Sequence, residues 1–420
     1  MALRWRDTNE RSWRDLLLRP FLNVFHPSPP MARRIATGID IGTYQVKLVV
    51  VEEVVDSRTK VASRRILGTG LAESKGLRQG YIVNTEEVAA SIRQAKEQAE
   101  SVARVAIKSG FLAVGGISLD EARASGEAII SRADQEITAL DLEKVEKGAR
   151  EAAAPGFVNR QVLHSIPLGY RIDGTKVLGD PIGMKGIQLE ADYLFVTCLS
   201  QHAEMLAEAA EESDIEIVDK MASPLAGSYV LLSGEQKMKG CVLANIGSET
   251  VSIVVYDEGI PISVKVFPIG ASHITDDIAL GLRISLEEAE RVKLGKLSGA
   301  MYPRKKIDDA ITGRLSAMFS LVDKHLKSLN RHGPFPAGII ISGGGAGIGN
   351  VSEIAKGSMK LPARLAEFRI GPDAKIRDAT WAVAYGLAIW GLTGETTGGP
   401  GRSGSGPIAS ITKFLGQFLP

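Results

Sequence analysis

The same short sequence pattern occurs twice in this chain, far apart along its length. IDIGTYQVKLVV begins at Ile39 and ANIGSETVSIVV begins at Ala244, so the two copies align without a gap at an offset of 205 residues. Each copy passes from an apolar, β-branched segment through a polar turn with glycine into a second such segment, which predicts a β-hairpin. A repeat at this distance predicts a fold with two related halves.

The tips of the two predicted hairpins have the composition of a phosphate-binding site. Small residues let backbone N–H groups approach an anion closely, and two facing tips can hold a phosphate chain from both sides. Asp40 ends the first strand, where a carboxylate can hold a divalent cation or its waters, while the second copy has Asn245 there. An ordinary hairpin is the alternative for either copy alone. The candidate phosphate-binding residues are Gly42, Thr43, Tyr44, Gly247, Ser248 and Thr250.

Two later segments carry weaker signals of the same kind of site. AGIIISGGGAGIGN, at 337–350, is an apolar strand that runs into three glycines ahead of a predicted helix near Asn350. In SLEEAERVK, Ser285 caps a predicted helix on which Glu290 and Lys293 share one face. A solvated ion pair is the alternative for these two charges. The glycines are Gly343, Gly344 and Gly345.

In combination, the four segments resemble the actin-like ATPase superfamily and, within it, the FtsA family of bacterial cell-division proteins. The resemblance is carried by TGIDIGTYQVKLVVVE, FPIGASHITDDIALGLRISLEEAERVK, IIISGGGAGIGN and DATWAVAYGLAIWGL, and it covers residues 36–393. It implies an α/β fold of two lobes with duplicated ribonuclease-H-like cores and a small α+β insert. It also implies ATP with Mg²⁺ as cofactor, with Glu290 and Lys293 on the ribose and base and the three glycines on the adenosine.

The second turn departs from the D-x-G-G-G-T-T-D pattern of FtsA-like proteins. Asn245 replaces the leading acid, and Glu249 replaces a glycine and adds a negative charge near the expected phosphates. Asp40 and, more weakly, Asn245 are the candidate catalytic residues, and Asp40 is the candidate Mg²⁺ ligand through water. Lys47 can reach a phosphate from the second strand or be an exposed strand lysine. We therefore expect ATP to act as a structural ligand that closes the cleft, with slow or absent hydrolysis.

The resemblance also divides the chain into segments. The insert takes the place of actin's side domain and is expected to contact neighbouring protomers and later division proteins, with a passive insertion as the alternative. The predicted boundaries are an N-terminal extension at 1–34, the start of the first lobe at 35–83, the insert at 84–170, the rest of the first lobe at 171–225, the second lobe with its hairpin at 226–270, a small basic subdomain at 271–335, the adenosine loop and return to the first lobe at 336–393, a linker at 394–407 and an amphipathic helix at 408–420.

The last two segments predict a tethered membrane anchor. Gly, Ser, Thr and Pro dominate 394–407, a composition that cannot pack a core. An apolar helix face on such a tether can bury against a bilayer interface, a partner groove or its own body. FtsA-like proteins end in a membrane-targeting helix, so the resemblance implies a peripheral protein on the cytoplasmic face of the membrane at the division site. The predicted apolar face comprises Ile408, Ile411, Phe414, Leu415, Phe418 and Leu419.

Charge and composition limit the remaining partners. The formal net charge of +1 gives no overall field for nucleic acid, and the six histidines and two cysteines lack metal-ligand spacing. Met31 is a candidate natural start, and an amphipathic arm before it is the alternative. A locally basic stretch is the implied site for the C-terminal tail of the tubulin-like FtsZ, although solvated helix faces explain it equally. Its candidate residues are Arg304, Lys305, Lys306 and Arg314.

Three other protein classes share parts of this pattern. A PilM-like pilus-assembly ATPase has a similar first turn and fold, but is not expected to carry the tethered tail. A sugar kinase of the same fold needs a catalytic Asp, and Asn245 argues against it. A chaperone of the DnaK type needs a substrate domain after the ATPase, and only 27 residues follow Thr393.

Overall fold

A computed structural model of the chain describes residues 33–55, 62–296, 302–329, 335–368 and 378–393. The predictions for the first 32 residues, the linker at 394–407 and the membrane face at 408–420 lie outside the described residues. All elements below belong to one unit that begins at Arg34.

The described chain alternates strands and helices. The strands are β1 (Arg34–Ile41), β2 (Gln45–Val55), β3 (Ala62–Glu73), β4 (Leu77–Arg78), β5 (Tyr81–Ile82), β6 (Ser109–Val114), β7 (Asp120–Ile129), β8 (Arg160–Ile172), β9 (Thr175–Val177), β10 (Gln188–Leu199), β11 (Glu216–Ala222), β12 (Cys241–Ile246), β13 (Val251–Asp257), β14 (Ile260–Phe267), β15 (Ile339–Ser342) and β16 (Ala363–Leu365). The helices are α1 (Thr85–Ala103), α2 (Ala139–Ala153), α3 (Ser200–Glu211), α4 (Ser223–Leu231), α5 (Gly234–Lys239), α6 (Ser272–Leu282), α7 (Leu286–Lys293), α8 (Arg304–Ser328), α9 (Val351–Met359) and α10 (Ala382–Thr393).

Two five-stranded sheets have the same topology, which confirms the predicted duplication. The first sheet has the order β11-β6-β1-β2-β3, and the second has the order β16-β15-β12-β13-β14. In both, the leading hairpin strand is antiparallel to its hairpin partner and parallel to a later strand, β6 or β15. The central strands are almost fully buried, since helices cover both faces, as their continuous apolar sequences require. We refer to the two halves as the first and second lobes.

The insert differs from the predicted range of 84–170. A separate sheet of order β7-β10-β8-β9 carries α2 on one face, so the insert runs from Asp120 to Leu199. Helix α1 packs on β2 and β3 through a buried face that includes Val88 and Ile92, and β6 is a strand of the first sheet. The predicted range was therefore wrong at both ends. It included α1 and β6, which follow β3 in the chain and belong to the first lobe, and it left out β9 and β10, which belong to the insert sheet.

The insert also touches the second lobe, through its outer strand β7 and the second lobe's outer strand β14. The Glu121 carboxylate accepts hydrogen bonds from the backbone N–H of Val264 at 2.7 Å and from the hydroxyl of Ser263 at 3.0 Å. Lys265 Nζ lies 2.9 Å from a carboxylate oxygen of Asp120. Burial raises the pKa of the Glu121 carboxyl above its ordinary value. We call this set of contacts the brace.

Helices α4 and α10 join the lobes. Helix α10 packs on β1, β2 and α4, and ten of its residues, from Ala382 to Leu392, are buried. A short helix that is apolar on every side belongs in a protein core. Among the described helices, none is long and apolar enough to span a bilayer.

Candidate functional site

The two predicted hairpin tips form with the same hydrogen-bond geometry. The backbone N–H of Gly42 donates to the carbonyl of Gln45 at 3.1 Å, and that of Gly247 donates to the carbonyl of Thr250 at 2.8 Å. Each tip joins two adjacent central strands of its sheet and starts where the register pairs end, at Ile41 and at Ile246. The structure therefore builds one glycine turn from each lobe, as predicted.

The second tip is also fixed from outside the hairpin. Two backbone N–H groups at the start of α6, those of Ala271 and Ser272, donate to the carbonyls of Gly247 and Ser248 at 2.9 and 2.8 Å. The hydroxyl of Ser272 donates to the Ser248 carbonyl as well, at 2.9 Å. The residues that form this tip therefore have little freedom to move independently of α6.

Asp40 lies on β1 directly opposite Lys47 on β2. Burial raises the pKa of the Asp40 carboxyl above its ordinary value, and the positive charge of Lys47 offsets part of that shift. A carboxylate held in a poorly solvated place beside a single cation suits a hydrated Mg²⁺, because a divalent ion supplies the charge that the protein does not. Lys47 is half-buried beside Asp40, so the exposed-lysine alternative is wrong.

Thr43 and Tyr44 occupy the outer part of the first tip. The Tyr44 side chain is 62% exposed, and its backbone carbonyl accepts a hydrogen bond from the N–H of Ser74 at 3.0 Å. The backbone of Tyr44 is thus held in place by a hydrogen bond, while its exposed phenol is available to a ligand.

The glycine loop after β15 lies against the end of β12, next to Asn245. Gly343 has φ +88°, and a Cβ there would lie 2.2 Å from Oδ1 of Asn245 and 2.5 Å from the carbonyl oxygen of Ile246. Glycine is therefore required by both conformation and space. Gly345 is buried against Ile246, while a Cβ on Gly344 would meet nothing within 4 Å. The predicted helix follows, with Asn350 as its N-cap.

Glu290 and Lys293 share one face of α7, as predicted, and they form an ion pair at 2.6 Å. Thr275 on α6 donates to the Glu290 carboxylate at 2.5 Å and accepts from Lys293 Nζ at 2.8 Å. Lys293 Nζ also donates to the carbonyl of Ala271 at 3.1 Å, and its side chain is only 6% exposed. Lys293 therefore secures the helix beside the second tip, whereas Glu290, at 40% exposed, remains accessible.

The Glu249 side chain connects the second tip to the first lobe. Its carboxylate accepts a hydrogen bond from the backbone N–H of Gln79, in the turn between β4 and β5 of the first lobe. Sequence reasoning missed Gln79, although the dipeptide Gln79-Gly80 between two short strands is a turn signal.

The four predicted partner-binding cations fall into two groups. Arg304, Lys305 and Lys306 are exposed in the first turn of α8. Arg314 instead makes a two-pronged ion pair with Asp277 of α6, at 2.7 and 2.6 Å. Arg314 therefore fastens α8 to α6, and the exposed basic surface is the one formed by residues 304–306.

Arg314→Ala is expected to lower the free energy of unfolding by about 1 kcal/mol, because it breaks a half-buried two-pronged pair. The matched control Arg304→Ala removes a guanidinium that is 92% exposed and 3.9 Å from Asp308, and should change stability by less than about 0.5 kcal/mol. Urea denaturation of both variants measures the difference. Equal midpoints would show that the Arg314 pair contributes nothing.

Comparisons with known proteins agree with this architecture. Residues 242–386 match the family model described as Cell division protein FtsA, and residues 122–197 match the SHS2 domain inserted in FtsA, which falls within the insert sheet. The FtsA cell-division protein of Pseudomonas aeruginosa is 28% identical over 415 residues, covering 92% of this chain and 97% of that protein. That of Bacillus subtilis is 29% identical over 372 residues, covering 83% and 82%.

A solved structure shows the same fold at lower identity. The PilM–PilN type IV pilus biogenesis complex superposes with a TM-score of 0.64 at 18% identity, covering 85% of this chain and 98% of that chain. The duplicated sheets, the inserted SHS2 sheet and the similar sequences lead to one assignment. The chain has the actin-like two-lobed fold and belongs to the FtsA family of bacterial cell-division proteins.

Proposed function

We propose that this chain is an ATP-binding, self-polymerising actin-like protein that tethers FtsZ filaments to the cytoplasmic face of the cell membrane and recruits later division proteins. The observation that carries the proposal is the pair of equivalent glycine tips, one from each lobe, with the half-buried Asp40 beside the first. In this arrangement a nucleotide bridges the lobes.

The residues present fit Mg²⁺–ATP. Thr43 from the first lobe and Ser248 from the second would hold the phosphates through their backbone N–H groups. Gly42 and Gly247, whose own N–H groups close the two turns, would let the phosphates approach the backbone closely. Asp40 would hold the Mg²⁺ through water. The loop Gly343, Gly344 and Gly345 would receive the adenosine, with Glu290 on the ribose. When bound, Mg²⁺–ATP supplies a polyanion with its counter-ion between the lobes, and so holds the cleft closed.

The second tip favours holding ATP over cleaving it. Asn245 has no negative charge with which to order an attacking water, and Glu249 places a carboxylate on the tip itself. ATP is therefore a structural ligand of the polymer subunit in this proposal, and turnover is slow.

The remaining parts of the proposal concern partners. The exposed basic surface of residues 304–306 is suited to an acidic peptide such as the FtsZ tail, because opposite charges steer such segments together. The apolar face at 408–420 would enter the lipid interface, and its single Lys413 makes each anchor weak. Many weak anchors on one polymer bind firmly, so polymerisation would promote membrane residence.

Liposome co-sedimentation of the full chain and of a chain that ends at Gly406, each with and without ATP, tests the proposal. We expect only the full chain to pellet, more of it with ATP, because the tail is the anchor and ATP promotes the polymer. Phosphate release in the same tubes should stay well below about 1 per second, the low end of ordinary enzyme rates.

If both chains stay in the supernatant while phosphate is released steadily, the membrane-tether proposal fails. A PilM-like ATPase is then the best remaining candidate, since the shared fold also favours it. A sugar kinase would in addition require phosphate transfer to a sugar.

A further inference from the structure

We propose that Glu249 is a latch across the cleft, which joins the second hairpin tip to the first lobe in the absence of nucleotide and is in competition with a bound polyphosphate. The competition rests on the proposed ATP site, whereas the latch itself rests on the hydrogen bond between the Glu249 carboxylate and the N–H of Gln79.

The donor is held in place by the shape of its turn. Gln79 and Gly80 link the paired residues Arg78 and Tyr81, and both have positive φ, +51° and +84°. In a two-residue hairpin turn of this kind, the N–H of the first turn residue points outward and takes no part in the turn's own hydrogen bond. The N–H of Gln79 is therefore a donor that the turn presents to the outside.

The turn is seated firmly on the first lobe. A Cβ on Gly80 would lie 2.4 Å from the Cα of Gly116, so the two backbones meet with no room for a side chain. The carbonyl of Gln79 also accepts a hydrogen bond from the N–H of Ile117 at 3.3 Å. Because Gly116 and Ile117 lie in the turn after β6, an inner strand of the first sheet, Gln79 is attached to the first lobe.

The acceptor is fixed equally well to the second lobe. Glu249 lies between Ser248, whose carbonyl accepts from Ser272, and Thr250, whose carbonyl closes the tip with Gly247. Glu249 is half-buried, which strengthens a charge-assisted hydrogen bond relative to one in open water. One hydrogen bond thus connects two well-anchored segments, one on each lobe.

The same carboxylate opposes a bound nucleotide. A phosphate oxygen at the second tip and the Glu249 carboxylate are like charges, and they seek the same kind of donor, a backbone N–H. Two ligands that exclude one another weaken each other's binding by the same factor. The latch therefore holds the lobes together without nucleotide and reduces the affinity for ATP.

The test compares Glu249→Ala and Glu249→Gln with the parent full chain and with Glu258→Gln. Glu258 is a suitable control because it follows the far end of β13, whereas Glu249 precedes its start, and because it is 71% exposed. Two quantities are measured, namely amide hydrogen exchange at Gln79 in the nucleotide-free protein and the Kd for ATP in the presence of Mg²⁺.

We expect Glu249→Ala to speed exchange at Gln79 while tightening ATP binding by about ten-fold, within the usual range of such couplings. Glu249→Gln keeps an acceptor but loses the charge, so exchange should rise less while ATP binds about as tightly as in the Ala variant. If Glu249 only supported the fold, its replacement would speed exchange at Gln79 and also weaken ATP binding.

Unchanged exchange at Gln79 in the Ala variant, or weaker ATP binding by both variants, overturns the latch. If no chain, parent included, binds ATP, the proposed nucleotide function fails and so does the competition. In that outcome the exchange at Gln79 alone decides whether Glu249 joins the lobes.

Discussion

Asp40→Asn is expected to unfold at a higher temperature than the parent chain and, at the same time, to bind Mg²⁺–ATP at least about ten-fold more weakly. Burial raises the pKa of the Asp40 carboxyl, so the folded chain favours the protonated form more than the unfolded chain does. That stabilisation is complete below the ordinary pKa of the carboxyl and is lost as the pH rises through the folded-state pKa. At neutral pH the ionised carboxylate is therefore unfavourable for folding, and the neutral amide removes this effect.

Asp40→Asn is thus expected to raise thermal stability while it weakens Mg²⁺–ATP binding, a combination that general damage to the fold would not produce. Thermal unfolding of nucleotide-free protein between about pH 4 and pH 8 should show the stability gain of Asp40→Asn shrinking as the pH falls, because the parent carboxyl becomes protonated. Titration with Mg²⁺–ATP measures the loss of binding. The control Asp308→Asn changes a carboxylate that is 63% exposed and should alter neither quantity. A variant less stable than the parent at neutral pH would show that Asp40 supports the fold instead of the cation.

Asn245→Asp is expected to raise ATP turnover by about a hundred-fold, the scale of one well-placed catalytic group. Asn245 holds the position on β12 that Asp40 holds on β1, so the substitution restores a carboxylate on the second lobe's side of the cleft. The Asn245 side-chain oxygen lies close to the backbone at Gly343. A negative charge at this crowded position should lower the free energy of unfolding of the variant.

Phosphate release under saturating Mg²⁺–ATP measures this effect, with Asn159→Asp as the control, since Asn159 is an exposed residue of the insert. The double variant Asn245→Asp with Glu249→Gly would separate two effects on turnover, that of the carboxylate absent at position 245 and that of the additional carboxylate at position 249. If turnover of Asn245→Asp stays at the parent level, Asn245 does not limit hydrolysis, and slow turnover must come from elsewhere in the site.

The parts of the structure that depend on neighbouring residues were predictable from the sequence. Both hairpins, the cap at Ser285, and the helix after Asn350 form as expected, because turn chemistry and hydrophobic periodicity act over a few positions. The glycine loop was placed correctly after its strand for the same reason.

Pairings between distant segments were not predictable in the same way. Whether β6 belongs to the first sheet or to the insert depends on its neighbour, and Gly38 of β1 is far from it in sequence. Similarly, nothing near Arg314 in the sequence reveals that Asp277 will neutralise it, or that Glu249 will reach Gln79. A single sequence gives each residue's chemistry but not its partner across the fold.

The brace has a consequence for how copies of this chain can assemble. An outer strand with free N–H and carbonyl groups is a template on which another chain can add a strand, which leads to uncontrolled association. On β14, the N–H of Val264 is already bonded to Glu121 of the insert, and Lys265 is paired with Asp120. Another strand can join this edge only after the insert has moved away. The insert thus covers an edge of the second lobe that would otherwise be adhesive, and in the proposed polymer the contacts between copies would lie on other surfaces of the protein.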